Sequence, residues 1–198
     1  MGLDIVAYSH LKNMGMPEGH ESEDFDIWEY SDITEDSSFI FYRSPQNEYG
    51  VAYTSESGKK WRGYDKCEDL EPGIYYETAE THSHSFCAGS YSGYNHFRER
   101  LCLCVNGVSP VEIWTNPDKW ENSPLYELIN FSDCEGRIGP TISKKIYSEM
   151  KEQHVTFLKY LVDNLDYSRS DLDFYKRKYE DFMLAFQIAS NRGVVIFT

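Results

Sequence analysis

Apolar positions recur with two different periods along this chain. In the first part they alternate with polar ones, the period of a half-buried strand. "LDIVAYS" (3–9) is rich in β-branched and aromatic residues and predicts a strand. "SSFIFYRS" (37–44) and "YGVAYTS" (49–55) predict two more, joined as a hairpin by a "PQN" turn. "GIYYETAETHSHSF" (73–86) alternates at both ends and predicts one strand or two. "MGMPEGHESED" (14–24) breaks the pattern with Gly, Pro and charge, and predicts a loop.

From residue 93 the period lengthens to that of a helix. Tyr94, Phe97, Leu101 and Val105 share one face, and Asn106-Gly107 stops the run. "SPLYELINF" (123–131) suits a short helix or a strand equally. Over 141–165 a stripe of Ile142, Ile146, Met150, Phe157, Leu161 and Leu165 follows Pro140, with Thr141 as the expected cap. Over 170–193, Leu172, Tyr175, Tyr179, Phe182 and Phe186 form a second stripe. Ser170 and Asp173 make a variant capping box, and Gly193 is the expected end. "VVIFT" (194–198) is then a terminal strand that needs a sheet to join.

These elements predict an α+β fold in a single domain over 1–198. An antiparallel or mixed sheet packs against two long C-terminal helices, and the last strand returns to the sheet. Economy of connection suggests that it pairs with the N-terminal strand.

Composition supports a packed core and narrows the setting. The chain has 198 residues, 40% of them apolar, and 16% are aromatic. Aromatic side chains bury a large area each, so this composition can fill a core. No apolar run is long enough to span a membrane, and no basic-then-apolar leader opens the chain, so a cytoplasmic location is expected. Five cysteines without framework spacing read as reduced thiols. Cys102 and Cys104 lie two apart on a helix, face different ways, and are poorly placed to share a metal.

The net charge of −14 is uneven. Residues 13–42 hold nine acids, Glu18 to Asp36, and no Lys or Arg, whereas 141–192 hold nine Lys/Arg against eight Asp/Glu. An acidic loop insert over about 14–36 therefore argues against direct nucleic-acid binding and suits a basic protein surface. A solvated, solubilising loop is the plainer alternative.

Three stretches could carry chemistry. "GSYSG" (89–93) opens the first long helical run, but Tyr91 occupies the centre where a nucleophile elbow needs Ser. A Walker loop fails too, because Tyr94 and Asn95 follow Gly93 where Lys and Ser/Thr belong. What remains is an anion site built from helix N–H groups with Ser90, Tyr91, Ser92, Tyr94, Asn95 and Arg98. The alternative is that Ser92 merely caps the helix and Arg98 pairs locally. "THSHS" (81–85) puts His82 and His84 on one strand face, a weak metal candidate needing a third ligand from Asp133 or Glu135. "INFSDCEGRIGP" (129–140) gathers Ser132, Asp133, Cys134 and Glu135 before a Gly-Pro turn. Acid–base work, a cation, or a bare turn all fit that cluster.

The opening "MGLDIVAYSHL", "GSYSGYNHFRERL", "INFSDCEGRIGP" with "SKK", and the closing "AFQIASNRGVVIF" resemble a family of small bacterial and bacteriophage proteins. The resemblance implies a soluble intracellular bacterial or phage protein and brings no activity or catalytic residue with it. The acidic stretch 17–36 lies outside the matching pattern.

No complete catalytic motif is present, and none of the motifs calls for a cofactor. The expectation is a non-catalytic binding protein that holds a small anionic ligand, or docks on a basic partner as an inhibitor would. In the first case the 89–93 and 132–136 segments would wall one polar pocket. The alternative is a hydrolase or transferase on a nucleotide-like substrate, with His82, His84, Asp133 and Glu135 as catalytic candidates beside Arg98.

Overall fold

In the computed structural model, residues 2–16, 39–43, 65–131, 135–164 and 169–198 are described, with only the backbone at 65, 169 and 170. The strands among them are β1 (Gly2–Tyr8), β2 (Lys12–Asn13), β3 (Phe39–Arg43), β4 (Asp65–Lys66), β5 (Gly73–Tyr76), β6 (Ser83–Ser90), β7 (Gly136–Ile138) and β8 (Val194–Phe197). The helices are α1 (Tyr91–Asn106), α2 (Pro110–Thr115), α3 (Pro117–Trp120), α4 (Tyr126–Ile129), α5 (Pro140–Asn164) and α6 (Arg169–Ala189). The fold is α+β, as expected, and no helix among the described residues is long and apolar enough to cross a membrane.

β1 organises the larger sheet, whose order is β4-β7-β8-β1-β6. Its antiparallel neighbours are β6 and β8, so the first and last strands of the chain do lie side by side, Tyr8 opposite Val194. The sheet is mixed because β4 runs parallel to β7. Alternation along β1 sends Leu3, Ile5 and Ala7 into the helix-covered face, where all three are fully buried. The opposite face meets a three-stranded sheet, β2-β5-β3, over a smaller core of Leu11, Phe41, Cys67, Leu70, Tyr75 and Val194.

The helical stripes pack as their periods require. Ile146, Met150, Phe157 and Leu161 of α5 and Tyr179, Phe182 and Phe186 of α6 are buried together. Phe182 is the hub, stacked on Phe97 at 5.3 Å and edge-on to Phe86 at 5.0 Å. Each such ring contributes about 1.5–3 kcal/mol by leaving water, and offset or edge contacts add to it.

Of the two forms expected of 73–86, the structure takes the second: two strands in different sheets, separated by a turn closed by Thr81 N–H on the Thr78 carbonyl at 3.0 Å. Local boundaries differ from expectation in three places. β6 runs on to Ser90 and α1 starts at Tyr91, so no loop separates them. Thr141 is not a cap: its N–H donates to Asp69 Oδ2 at 2.5 Å, so a side chain from another segment caps α5. Gly193 does not end α6, which stops at Ala189 before a turn over 190–192. The ambiguous 123–131 stretch contains the short α4, and α2 and α3 precede it. The expected strand 49–55 and its turn lie outside the described residues, as do Leu165 and the acidic stretch 17–36. Among the described residues β3 pairs with β5.

Candidate functional site

At the β6–α1 junction, Gly89 takes φ +103 and turns the chain directly from strand into helix. Ser90, not Ser92, is the N-cap, its Oγ accepting the Gly93 N–H at 3.1 Å. Ser92 is exposed and its hydroxyl lies 3.0 Å from that of Ser90. Tyr91 packs its ring against the core, and Tyr94 is fully buried.

Arg98 is the decisive side chain of this region. It is only 4% exposed. Its Nη1 donates to the Phe131 carbonyl at 2.5 Å, its Nη2 donates to Asn95 Oδ1, and its guanidinium lies over the rings of Tyr94 at 5.1 Å and Trp114 at 4.7 Å. Trp114 in turn donates its indole N–H to the Ile129 carbonyl at 3.1 Å. The segments 82–98 and 129–131 therefore do meet, through a buried arginine that fills the space between them. Ser132, Asp133 and Cys134 lie outside the described residues, and Glu135 is exposed.

The two histidines diverge. His84 lies within β6, its ring stacked on Phe86 at 5.5 Å and its Nε2 3.4 Å from Asp181 Oδ1 on α6. His82 precedes the strand, so strand alternation does not hold it beside His84. Its ring stands edge-on to His10 at 6.2 Å. Among the described residues no three His, Cys, Asp or Glu side chains form a group that could hold a metal ion. Beside His84, Lys178 of α6 is buried and donates to the Cys87 carbonyl at 2.6 Å, and its burial pulls its pKa down. Burial pushes the Cys102 thiol up to about 11, which marks a packing residue rather than a nucleophile.

His82 leads to a site that sequence reasoning did not single out. Where β1 ends, His10 takes φ +53, and against it Arg192 takes φ +51 in the turn before β8. The two turns are bonded back to back: His10 N–H donates to the Asn191 carbonyl at 2.8 Å and Leu11 N–H to that of Arg192 at 3.2 Å. Gly193 permits this approach, because a Cβ there would overlap the Tyr8 carbonyl. A third segment is tied in by Thr78 Oγ1, which donates to the His10 carbonyl at 3.1 Å. Buried Ser9 joins the same knot: its Oγ accepts the His82 N–H at 3.2 Å and lies 3.1 Å from His10 Nδ1.

These three segments enclose an open groove of about 520 Å³, lined by His10, Leu11, Lys12, Asn13, Thr78, Ala79, Glu80 and Arg192. Leu11 is the buried apolar part of the lining. Asn13 is spent on structure, its Nδ2 donating to the Glu71 and Pro72 carbonyls and its Oδ1 accepting from Gly15. Lys12, Arg192 and Glu80 are exposed, and none is in an ion pair among the described residues. Two of the three non-glycine residues with positive φ among the described residues sit here, each at a cost of about 1–2 kcal/mol. The sequence signal for this groove was indirect. Pairing β1 with β8 brings 9–12 beside 190–192, so the polar residues of "SHLK" and "SNR" become neighbours.

No protein-family model, no curated protein and no solved structure matches the chain.

Proposed function

We propose that the protein is a non-catalytic binding protein that holds a small ligand by its anionic group in the groove between 9–13, 78–80 and 190–193. The observation that carries this is the pair Lys12 and Arg192, two exposed cations that form no ion pair among the described residues and lie on the lining of a concave site. In a chain of net charge −14, two cations that form no ion pair among the described residues make a local well for negative charge. Charge-assisted hydrogen bonds contribute roughly 1.5–3 kcal/mol each, and association and solvent screening offset much of that, so affinities of roughly micromolar to millimolar order follow. Calorimetric titration of the full chain with inorganic phosphate tests the proposal. Binding that disappears in the Lys12→Ala/Arg192→Ala variant supports it, and equal binding in both proteins overturns it.

The second reading is an acid–base enzyme on a nucleotide-like substrate. The edge-on pair of His10, which lines the groove, and His82 behind it favours this reading, since two neighbouring imidazoles could serve as base and acid. Turnover of a phosphate ester that is lost in both His10→Asn and His82→Asn would decide for this reading over simple binding.

A further inference from the structure

Taking the groove as the ligand site, we propose that it selects zwitterions: small molecules that carry an ammonium or similar cationic group beside a carboxylate or phosphate. The inference rests on the anion-binding reading above and adds Glu80 to it. Glu80 lines the same groove on a different segment from Lys12 and Arg192. It stands on a turn held by three hydrogen bonds: Thr78 N–H to Thr81 Oγ1 at 2.7 Å, Thr81 N–H to the Thr78 carbonyl at 3.0 Å, and Glu80 N–H to Thr78 Oγ1 at 3.2 Å. Thr78 also anchors this turn to the His10 carbonyl, so the carboxylate is carried by backbone fixed to the cationic wall.

A site meant for a bare anion gains nothing from an exposed carboxylate in its lining, since like charge weakens binding. A ligand with both signs uses all three charged side chains. The field of the whole chain argues the same way. At net charge −14 a free anion is repelled during approach, a ligand whose ammonium offsets part or all of its negative charge is repelled less, and the local arrangement of two cations and one carboxylate then orients its dipole. The groove volume of about 520 Å³ falls within the usual range of small-molecule sites, roughly 300–1,000 Å³. Leu11 supplies an apolar surface for a short carbon linker between the charged groups.

The test is calorimetric titration of the full chain at low ionic strength with two matched pairs of probes. Phosphoethanolamine against methyl phosphate, and β-alanine against propionate, isolate the ammonium and distinguish a phosphate from a carboxylate as the anionic end. Within at least one pair the zwitterion is expected to bind about tenfold tighter, a difference typical of one added charge-assisted contact. In Glu80→Gln that preference should shrink to about twofold or less, while the simple anion binds as well as before or better. Equal affinities within both pairs, or a preference untouched by Glu80→Gln, overturn the zwitterion inference and leave the anion groove standing. Absence of binding by all four probes overturns both.

Discussion

Two junctions between helix and strand carry nearly the same residues and use them in opposite ways. At the β6–α1 junction the chain reads Gly89-Ser90-Tyr91-Ser92-Gly93 with Arg98 a turn and a half further on. At the α6–β8 junction it reads Ser190-Asn191-Arg192-Gly193. In the first, glycine takes the positive φ, Ser90 caps the helix, and the arginine is swallowed by the core between two rings and a carbonyl. In the second, the arginine itself takes the positive φ, the glycine serves close packing against Tyr8, and the guanidinium is left at the surface. A motif rich in Gly, Ser and Arg is therefore not evidence of a site. What matters is whether the fold has already used the charge.

The largest expected effect comes from the glycine of the second junction. Gly193→Ala forces a methyl group into the Tyr8 carbonyl and must separate the 190–193 turn from β1, costing about 3 kcal/mol or more. A melting temperature within two degrees of the parent would show that the two turns are not locked together. Arg98→Ala comes next, at about 3 kcal/mol, because it empties a packed space and leaves the Phe131 carbonyl without its guanidinium donor. In a chain of this length that is a fall of about 6–12 °C. A loss under about 1 kcal/mol in denaturant titration would return Arg98 to the list of ligand-binding candidates. Ser90→Ala should cost about 1 kcal/mol, the usual value of an N-cap, whereas Ser92→Ala should be near neutral. Equal effects of the two serines in thermal melts would break the assignment of the cap. Arg192→Gly should likewise change stability little. Release of the left-handed strain and the extra freedom of the unfolded chain nearly cancel, leaving a change of about 1 kcal/mol or less. Its effect on phosphate binding should be loss, the reverse of Arg98→Ala, where any binding by folded protein is retained.

The strands and helices were legible because burial imposes a period on them. Ile146, Met150, Phe157 and Leu161 recur at helical spacing since one helix face must leave water, and Leu3, Ile5 and Ala7 alternate since one sheet face must. Boundaries were less legible. Nothing local to Thr141 announces that Asp69, seventy-two residues away, holds its N–H. Ser90 and Ser92 are interchangeable as caps on paper, and only the continuation of β6 to residue 90 chooses between them. For the candidate site the position is sharper still. The groove draws its lining from residues 10–13, 78–80 and 192, and no window along the chain contains more than one of these groups.

By itself the sequence determined the α+β class, the two long amphipathic helices, the closing strand and the large negative charge. Periodicity, capping chemistry and composition are properties of neighbours along the chain. Only the tertiary structure decided which arginine is a core residue and which faces solvent, that His82 belongs with His10 rather than with His84, and that Lys12, Glu80 and Arg192 share a groove. The physical reason is that a charge becomes available to a ligand when no partner in the folded chain satisfies it. Partners such as the Phe131 carbonyl for Arg98 are brought in by long-range packing that no local pattern encodes.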